Sequence, residues 1–343
     1  MNARIAINGY GRIGQSVLRA VYERKLRRAG CNLDIAIINE LSDIDTISYL
    51  TRYDSTHGRF PQAVEVVSDR SLRVSDDLIT VCRQESVAEL PWSEYEIDLV
   101  MECTGLFSAR SEADKHIHAG CQKVLLSQPS DTHVDKTIVY GVNHQTLGAS
   151  DKVVSNASCT TNAIVPVLKI LDAEFGVLHG SLTTIHSAMN DQPTIDAYHN
   201  QDLRRTRSAM NNMVPVDTQL AKGIERLLPE MKNKLAATAI RIPTLNVSAI
   251  DMSVYVDKSV DIEEVNNLLR TSAEADRFNM LAYTEEPIAS SDFNHDIHSS
   301  IIDGSQTRVS GKRLIKIFTW FDNEWAFANR MLDVAEYWLS LKP

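Results

Sequence analysis

The chain has no apolar run long enough to cross a bilayer. It also has no hydrophobic signal region followed by a cleavage site, since the first residues pass directly into a strand-like stretch. Internal repeats and low-complexity tracts are missing as well. Its 343 residues, 43% hydrophobic and 23% charged, suffice for two domains with substantial cores. We therefore expect a globular protein that resides in the cytoplasm and makes no contact with membranes.

The chain has fewer positively charged side chains than negatively charged ones. Lys and Arg number 35 against 45 Asp and Glu, which leaves a formal net charge of −10. A general binder of nucleic acid or of an anionic membrane surface needs a basic face. We expect neither partner, although a local cationic pocket for a small anion is compatible with this balance.

Cysteine is scarce, and its pattern excludes two kinds of site. The number is odd, the spacings are wide, and no Cys-x-x-Cys pair occurs among Cys31, Cys82, Cys103, Cys121 and Cys159. This argues against a disulfide framework and against a zinc centre. The segment 292–296 contains Asp and His, but no second cluster has matching ligand spacing, so we expect no metal.

The N-terminal segment has the layout of a dinucleotide-binding unit. A strand over residues 4–7 leads into the turn Gly9-x-Gly11-x-x-Gly14, a helix over 15–28 and a strand over 33–38 that ends near Glu40. Such glycines let backbone N–H groups approach a pyrophosphate. Glu40 would accept hydrogen bonds from a ribose and repel a 2′-phosphate, which favours NAD over NADP. The alternative is a structural glycine turn in another α/β protein.

The remaining pattern predicts two domains. Further strands at 99–101, 124–127 and 137–140 and a helix at 111–119 indicate a Rossmann-type, doubly wound and mostly parallel sheet. After residue 155 we expect a helix over 160–175, with Pro166 in its first turns or at a kink, and strands at 181–185, 236–242, 247–256 and 314–320. These favour an α+β catalytic domain with a largely antiparallel sheet. We assign residues 158–321 to it and residues 1–157 and 322–343, including a final helix, to the NAD-binding domain.

Cys159 is the strongest candidate for chemistry. It lies at the start of a predicted helix in Ser158-Cys159-Thr160, and a helix N-terminus stabilises a thiolate. His186, at the end of the strand 181–185, is the best candidate for an activating base. From residue chemistry alone, a nucleophile and a buried structural thiol are equally good interpretations of Cys159.

Arginines provide a candidate anion site. Arg241 lies within an apolar strand and should therefore face a pocket or a carboxylate. The polar stretch 187–212 is too long for an ordinary connector and contains Arg204, Arg205 and Arg207. For two of those three, a solvated face or an intersubunit contact is the simpler interpretation.

Four motifs together resemble the phosphorylating glyceraldehyde-3-phosphate dehydrogenases. They are the glycine turn, Ser158-Cys159-Thr160-Thr161-Asn162, Arg241-Ile242-Pro243-Thr244-x-Asn246-Val247-Ser248 and Trp320-Phe321-Asp322-Asn323-Glu324, in family order along the chain. The resemblance implies that Cys159 is catalytic and that His186 activates it. It further implies substrate contacts from Ser158, Thr160, Arg205, Thr218, Gln219 and Arg241, NAD contacts from Gly9, Gly11, Arg12, Ile13, Glu40 and Asn323, and a homotetramer.

Several positions depart from that family. Two threonines that help to hold the substrate phosphate are replaced by Met189 and Asp191, and a Ser-Thr-Gly loop reads Asp217-Thr218-Gln219. A Glu-Arg-Asp segment reads Gln84-Glu85-Ser86, so its cofactor contact is not carried over. These substitutions are similar to the erythrose-4-phosphate dehydrogenases, which make 4-phosphoerythronate on the route to pyridoxal 5′-phosphate.

That resemblance implies oxidation of erythrose 4-phosphate through a thiohemiacetal and a thioester on Cys159, with release by water. We hypothesise that negative charge at Asp191 and Asp217 disfavours inorganic phosphate as the second nucleophile. Three alternatives stay open: a phosphorylating glyceraldehyde-3-phosphate dehydrogenase, an aspartate-semialdehyde dehydrogenase, and an inactive NAD-binding interaction protein.

Overall fold

The computed structural model describes residues 2–27, 31–199 and 202–342. The chain divides into two compact units. The first contains the residues up to Ser158 and those from Phe327 onwards, and the second contains Cys159–Ala326. The sequence analysis placed these boundaries at 157/158 and 321/322.

The first unit is built on a sheet of nine strands within the described residues, in the order β10-β11-β9-β8-β1-β2-β7-β6-β5. Two further short strands, β3 and β4, pair with each other. The bounds are β1 Ala3–Asn8, β2 Leu33–Asn39, β3 Tyr53–Asp54, β4 Gly58–Arg59, β5 Val64–Ser68, β6 Ser71–Val74, β7 Asp77–Cys82, β8 Leu99–Glu102, β9 Lys123–Leu126, β10 Lys136–Thr137 and β11 Val153–Ser155.

Seven of these strands, from β10 to β7, pair in parallel. Their central segments are continuous apolar runs that are fully buried, such as 5–7 and 99–101, as expected for a sheet covered on both faces. The order of the strands reverses between β1 and β8. In open sheets of this kind, ligands bind at such a reversal. The expected doubly wound, mostly parallel sheet is confirmed.

Two details of this sheet differ from the sequence analysis. The hairpin β5–β6 and its partner β7 form an antiparallel edge that was not predicted, because β5 has only its first residue buried and shows no apolar pattern. The strand expected over 137–140 is limited to Lys136–Thr137. Ile138 and Val139 are buried, but the chain there is not paired as a strand.

Three helices of the first unit precede the boundary at Ser158: α1 Arg12–Arg27, α2 Ile44–Arg52 and α3 Arg110–His118. From the sequence, α1 was expected to begin at residue 15, which is three residues after its start in the structure. α2 was not predicted; its start is fixed by the carboxylate of Asp43, which accepts a hydrogen bond from the N–H of Thr46 at 2.8 Å.

The second unit contains a sheet of eight strands among the described residues. Its order is β13-β14-β12-β15-β19-β17-β16, with β18 paired to β19. Five of the seven pairings are antiparallel, whereas β12–β14 and β16–β17 are parallel. The bounds are β12 Val177–His186, β13 Val214–Val216, β14 Leu235–Arg241, β15 Ser248–Val256, β16 Leu281–Thr284, β17 Ser300–Asp303, β18 Arg308–Ser310 and β19 Leu314–Phe321. The expected largely antiparallel sheet is confirmed.

The second unit has the helices α4 Cys159–Phe175, α5 Leu220–Leu227 and α6 Ile262–Ala275. In α4, Pro166 is the eighth residue, and most side chains around it are buried. α6 begins with a reciprocal cap, in which Asp261 and Glu264 each accept a hydrogen bond from the other's backbone N–H. Neither α5 nor α6 was predicted.

The last helix, α7 (Trp325–Ser340), begins in the second unit and continues in the first. Within the first unit, Arg24 donates to the carbonyl of Asn329 and lies 2.8 Å from the carboxylate of Asp333. Trp338 is fully buried, and its indole N–H donates to the carbonyl of Gly148. Across the described residues, no helix combines the length and apolarity needed to traverse a membrane.

The glycine turn yields a prediction about stability. A Cβ on Gly14 would lie 2.3 Å from the carbonyl oxygen of Gly9, whereas a Cβ on Gly11 would meet no atom within 4 Å. Gly14→Ala should therefore lower the free energy of unfolding by about 1–3 kcal/mol. The matched variant Gly11→Ala should stay within about 1 kcal/mol of wild type. Urea unfolding of both variants checks this, and equal losses would contradict the packing described for the turn.

Candidate functional site

A thiol and an imidazole meet in the second unit. Cys159 is the first residue of α4 and His186 is the last residue of β12. The Sγ atom of Cys159 lies 3.7 Å from Nε2 of His186 and 4.0 Å from Oγ1 of Thr160. Both Cys159 and His186 are half-buried. The helix start and the strand end thus place a nucleophile and a base within reach of each other.

The other ring nitrogen of His186 determines its tautomer. Nδ1 lies 2.9 Å from the carbonyl oxygen of Ser187, and a carbonyl can only accept a hydrogen bond. Nδ1 therefore carries a proton, and in the neutral ring Nε2 is the unprotonated nitrogen that faces the sulfur. The imidazole is held in the form that can accept a proton from the thiol.

Burial sets the ionisation of this pair. It raises the pKa of the Cys159 thiol to about 11, although the hydrogen bonds of Thr160 act in the opposite direction. Burial also lowers the pKa of His186, against the effect of its bond to Ser187. Position at a helix start favours the thiolate, and desolvation acts against it. Burial thus disfavours the charged form of both groups.

Arg241 lies next to this pair. It ends β14 and is the register partner of His186 on the parallel strand β12. Its guanidinium is buried and forms two hydrogen bonds with the carboxylate of Asp191, at 2.7 and 3.2 Å. The expectation that Arg241 faces a carboxylate is confirmed.

Asp191 bridges two arginines. Besides Arg241, its Oδ2 accepts a hydrogen bond from Nη1 of Arg205 at 3.1 Å. The carboxylate was expected to repel an incoming phosphate, whereas in the structure it is already paired with both guanidinium groups. Arg205 also lies 3.7 Å from the carboxylate of Asp202, so the two guanidinium groups are matched by two carboxylates. Of the other two arginines, Arg204 is exposed and Arg207 pairs with Asp196 on the surface.

The other proposed substrate residues lie around the start of α4 and α5. Ser158 precedes α4, and Thr160 is its second residue. Thr218 and Gln219 immediately precede α5, with Thr218 accepting a hydrogen bond from the N–H of Leu220. α5 packs beside α4, since a Cβ on Gly223 would lie 3.6 Å from Oγ1 of Thr161.

A separate cavity in the first unit lies at the carboxyl ends of the parallel strands. Its lining includes Gly9, Gly11, Glu40 and Glu85. Gly9 has φ +87°, and a Cβ there would lie 2.7 Å from the N atom of Thr104. At Gly11 a Cβ would meet no protein atom within 4 Å, so the backbone is open to a ligand. Glu40 is oriented by the N–H of Tyr10, 2.9 Å away.

These residues fit NAD. The opening at Gly11 gives a pyrophosphate access to the start of α1, and Glu40 presents a carboxylate to ribose hydroxyls. A second carboxylate, Glu85, adds negative charge to a cavity that would have to accept the 2′-phosphate of NADP.

Arg12 and Ile13 occupy the first turn of α1 and are not among the residues lining this cavity. The Arg12 guanidinium forms a two-point ion pair with Asp54. Burial would raise the pKa of Asp54, but the hydrogen bonds of Arg12 and of the His57 backbone lower it to about 2. The Arg12 side chain thus has a structural partner in Asp54, and its contact with the cofactor stays a prediction.

A row of hydrogen-bonded polar side chains next to the cavity was not predicted from the sequence. Glu102, Asn8 and Asn39 end the adjacent parallel strands β8, β1 and β2. Asn8 donates to Glu102 at 2.5 Å, and Asn39 donates to Asn8 at 2.7 Å. Glu102 also accepts from the backbone N–H of Thr104 and faces His116, which is fully buried. This row ties the strand ends together.

Asn323, the remaining proposed cofactor residue, belongs to the second unit. It follows β19, and its Oδ1 accepts hydrogen bonds from the hydroxyls of Ser187 and Ser248 at 3.0 and 2.8 Å. No group of three or more His, Cys, Asp or Glu side chains within residues 2–27, 31–199 and 202–342 is arranged to hold a metal ion.

Two family models match this chain. The NAD-binding domain of glyceraldehyde 3-phosphate dehydrogenase matches residues 3–110, and the C-terminal domain of glyceraldehyde 3-phosphate dehydrogenase matches residues 158–323. The first match covers the glycine turn and Glu40, and the second covers Cys159, His186 and Arg241. Together with the NAD-type cavity, these matches show that the chain belongs to the glyceraldehyde-3-phosphate dehydrogenase family of NAD-dependent oxidoreductases.

Proposed function

We propose that this enzyme oxidises D-erythrose 4-phosphate to 4-phosphoerythronate with NAD, in the cytoplasm, and so supplies pyridoxal 5′-phosphate synthesis. The observation that carries the proposal is the thiol–imidazole contact of Cys159 and His186 beside two arginines bridged by Asp191. The thiol–imidazole pair provides the aldehyde chemistry. Asp191, which bridges the arginines, is a position at which this chain departs from the phosphorylating enzymes.

The first step is addition of sulfur to the aldehyde carbon. Nε2 of His186 lies 3.7 Å from the sulfur, and it takes the thiol proton as the S–C bond forms. The imidazolium then returns that proton to the carbonyl oxygen, which gives a thiohemiacetal on Cys159. Arg241, next to His186 in the sheet, contributes positive charge beside the developing oxyanion.

The second step is oxidation of the thiohemiacetal. Bound NAD supplies the hydride acceptor. His186 accepts the hydroxyl proton as the hydride leaves, and a thioester on Cys159 results. The same Nε2 atom thus moves a proton in both steps, which requires the tautomer fixed by Ser187.

The third step is release of the acid. We propose that water attacks the thioester, with His186 as the base. Inorganic phosphate would need a cationic site, and Asp191 already neutralises one charge of the Arg205–Arg241 pair. Asp217 is exposed near the start of α5 and adds a second negative charge on this side of the unit.

Three alternatives are less well supported. A phosphorylating glyceraldehyde-3-phosphate dehydrogenase would use the same thiol and base, but a phosphate entering its anion site would have to compete with Asp191. An aspartate-semialdehyde dehydrogenase agrees neither with the family matches nor with Glu40 in the cofactor cavity. An inactive NAD-binding protein would have no need of a fixed tautomer at His186.

We also propose that the protein is a homotetramer. The segment 187–212 exposes large apolar side chains, among them Ile195, Tyr198, Leu203 and Met210, each at least 70% exposed. Exposed apolar groups gathered on one segment are typical of protein–protein contacts. This supports the homotetramer that the family resemblance implies.

The function is tested by following NADH with erythrose 4-phosphate and with glyceraldehyde 3-phosphate, each with and without inorganic phosphate. We expect the higher kcat/KM on the four-carbon sugar, and less than about a twofold response to phosphate, because the anion site is partly neutralised. Strict dependence on added phosphate would overturn water as the second nucleophile. A preference for glyceraldehyde 3-phosphate would overturn the substrate assignment.

In the same assay, Asp191→Asn removes the bridging charge and should make the rate respond to inorganic phosphate by roughly fivefold or more. The matched control is Asp196→Asn, which removes an exposed carboxylate paired with Arg207 on the same segment. It should behave as wild type. Identical phosphate responses in both variants would contradict the role given to Asp191.

A second prediction concerns thiol reactivity. His186→Asn removes the proton acceptor, so alkylation of Cys159 by iodoacetamide at neutral pH should slow by roughly tenfold or more. In wild type the rate should still be rising at alkaline pH, since burial raises the thiol pKa to about 11. In the variant the rise should come at higher pH still, because no imidazole takes up the thiol proton. Peptide mapping identifies the alkylated residue, and coincident pH profiles would show that the imidazole does not activate the sulfur.

A further inference from the structure

We propose that Ser187 and Ser248 are positioning residues that orient the base His186 and the carboxamide of Asn323 through one shared hydrogen-bond network. The inference rests on the proposed function, because it takes His186 as the base and Asn323 as a cofactor contact. It assigns the two serines a role that is distinct from binding the substrate.

Ser187 uses three polar groups for three partners. Its carbonyl accepts the Nδ1 proton of His186 at 2.9 Å. Its backbone N–H donates to Oγ of Ser248 at 3.1 Å, and its hydroxyl donates to Oδ1 of Asn323 at 3.0 Å. Ser187 is fully buried, so water does not compete for these bonds. One residue thus connects Nδ1 of His186 to the carboxamide of Asn323.

Ser248 links the two ends of the network. Its Oγ accepts from the backbone of Ser187, which leaves the hydroxyl proton to be donated to Oδ1 of Asn323 at 2.8 Å. The preceding residue, Val247, is buried and has φ +64°, a conformation that β-branched side chains rarely adopt. The turn that brings Ser248 to the start of β15 is therefore kept despite backbone strain.

The network fixes which way Asn323 points. Both hydroxyls donate to the same atom, so Oδ1 is the buried end of the carboxamide and Nδ2 is the end directed away from the serines. Rotation of the amide would replace the shared acceptor by N–H groups, and both hydroxyls would have to change from donor to acceptor. Asn323 thereby offers N–H donors, and it would do so to the cofactor.

The residues before and after Ser187 hold its backbone in place through further hydrogen bonds. The carbonyl of His186 accepts the N–H of Ile242, and the N–H of Ala188 donates to the carbonyl of Thr244. Ser187 is therefore flanked by two backbone bonds to the end of β14. Loss of a serine hydroxyl should alter side-chain orientation while the strand ends keep their places.

The test compares Ser187→Ala and Ser248→Ala with Ser300→Ala. Ser300 is fully buried in β17 of the same sheet, and its hydroxyl has no hydrogen-bond partner among the described residues, so its removal controls for loss of a buried oxygen. Two readouts are made without any aldehyde: the Kd of NAD, and the pH profile of Cys159 alkylation. Thermal unfolding confirms that each variant folds.

Ser187→Ala removes only a bond to Asn323 and keeps the peptide that holds His186. It should weaken NAD binding by roughly fivefold and leave the alkylation profile unchanged. Ser248→Ala also removes the acceptor of the Ser187 N–H. Ser248→Ala should weaken NAD binding by about as much as Ser187→Ala does. It should also shift the alkylation profile of Cys159 along the pH axis. Ser300→Ala should change neither readout.

The proposal is overturned if Ser248→Ala changes no more than Ser300→Ala, or if Ser187→Ala displaces the alkylation profile as far as Ser248→Ala does. Failure of the proposed function has a different signature. If wild-type Cys159 were no more reactive than the buried cysteines, or if erythrose 4-phosphate were not oxidised, the aldehyde assignment would fail while the serine network could still be measured through NAD binding.

Discussion

The hydrogen bond from Nδ1 of His186 to the carbonyl of Ser187 is the interaction on which the rest of the site depends. It leaves Nε2 without a proton and aimed at the sulfur of Cys159. Burial makes this arrangement consequential, because it favours the neutral form of both groups and so gives the proton acceptor a role.

Burial also explains the arrangement of charge around the pair. Arg241 is an always-charged group in a buried position, and it is tolerated because Asp191 meets both arms of its guanidinium. Under the proposed function, this carboxylate competes with an anion for the same guanidinium groups. Asp191 would then both stabilise the buried Arg241 and change which anions the site accepts.

The local pattern of the sequence was sufficient to predict much of the fold and to identify the candidate reacting groups. Glycine spacing, continuous apolar strands and a cysteine at a helix start are features of consecutive residues, so the sequence displays them directly. Features formed by distant residues were not accessible. Ser248 meets Asn323 across 75 positions, and Asn8 meets Glu102 across 94. The edge strand β5 was missed because its side chains are mostly exposed, which removes the apolar signal.

The sign of the thiol pKa shift was also inaccessible from sequence. Position at the start of α4 favours a lowered pKa, yet the burial that raises it depends on residues far from α4 in the chain. Resemblance to a family identified the candidate reacting residues but gave no information about this burial.

The most direct measurement is rapid acid quenching of the enzyme with NAD and erythrose 4-phosphate, followed by peptide mass spectrometry. The account predicts a phosphoerythronyl adduct on the peptide containing Cys159, formed within the first turnover and lost as NADH production continues. An enzyme that makes NADH while Cys159 stays unmodified at every quench time, or an adduct on another residue, would contradict it.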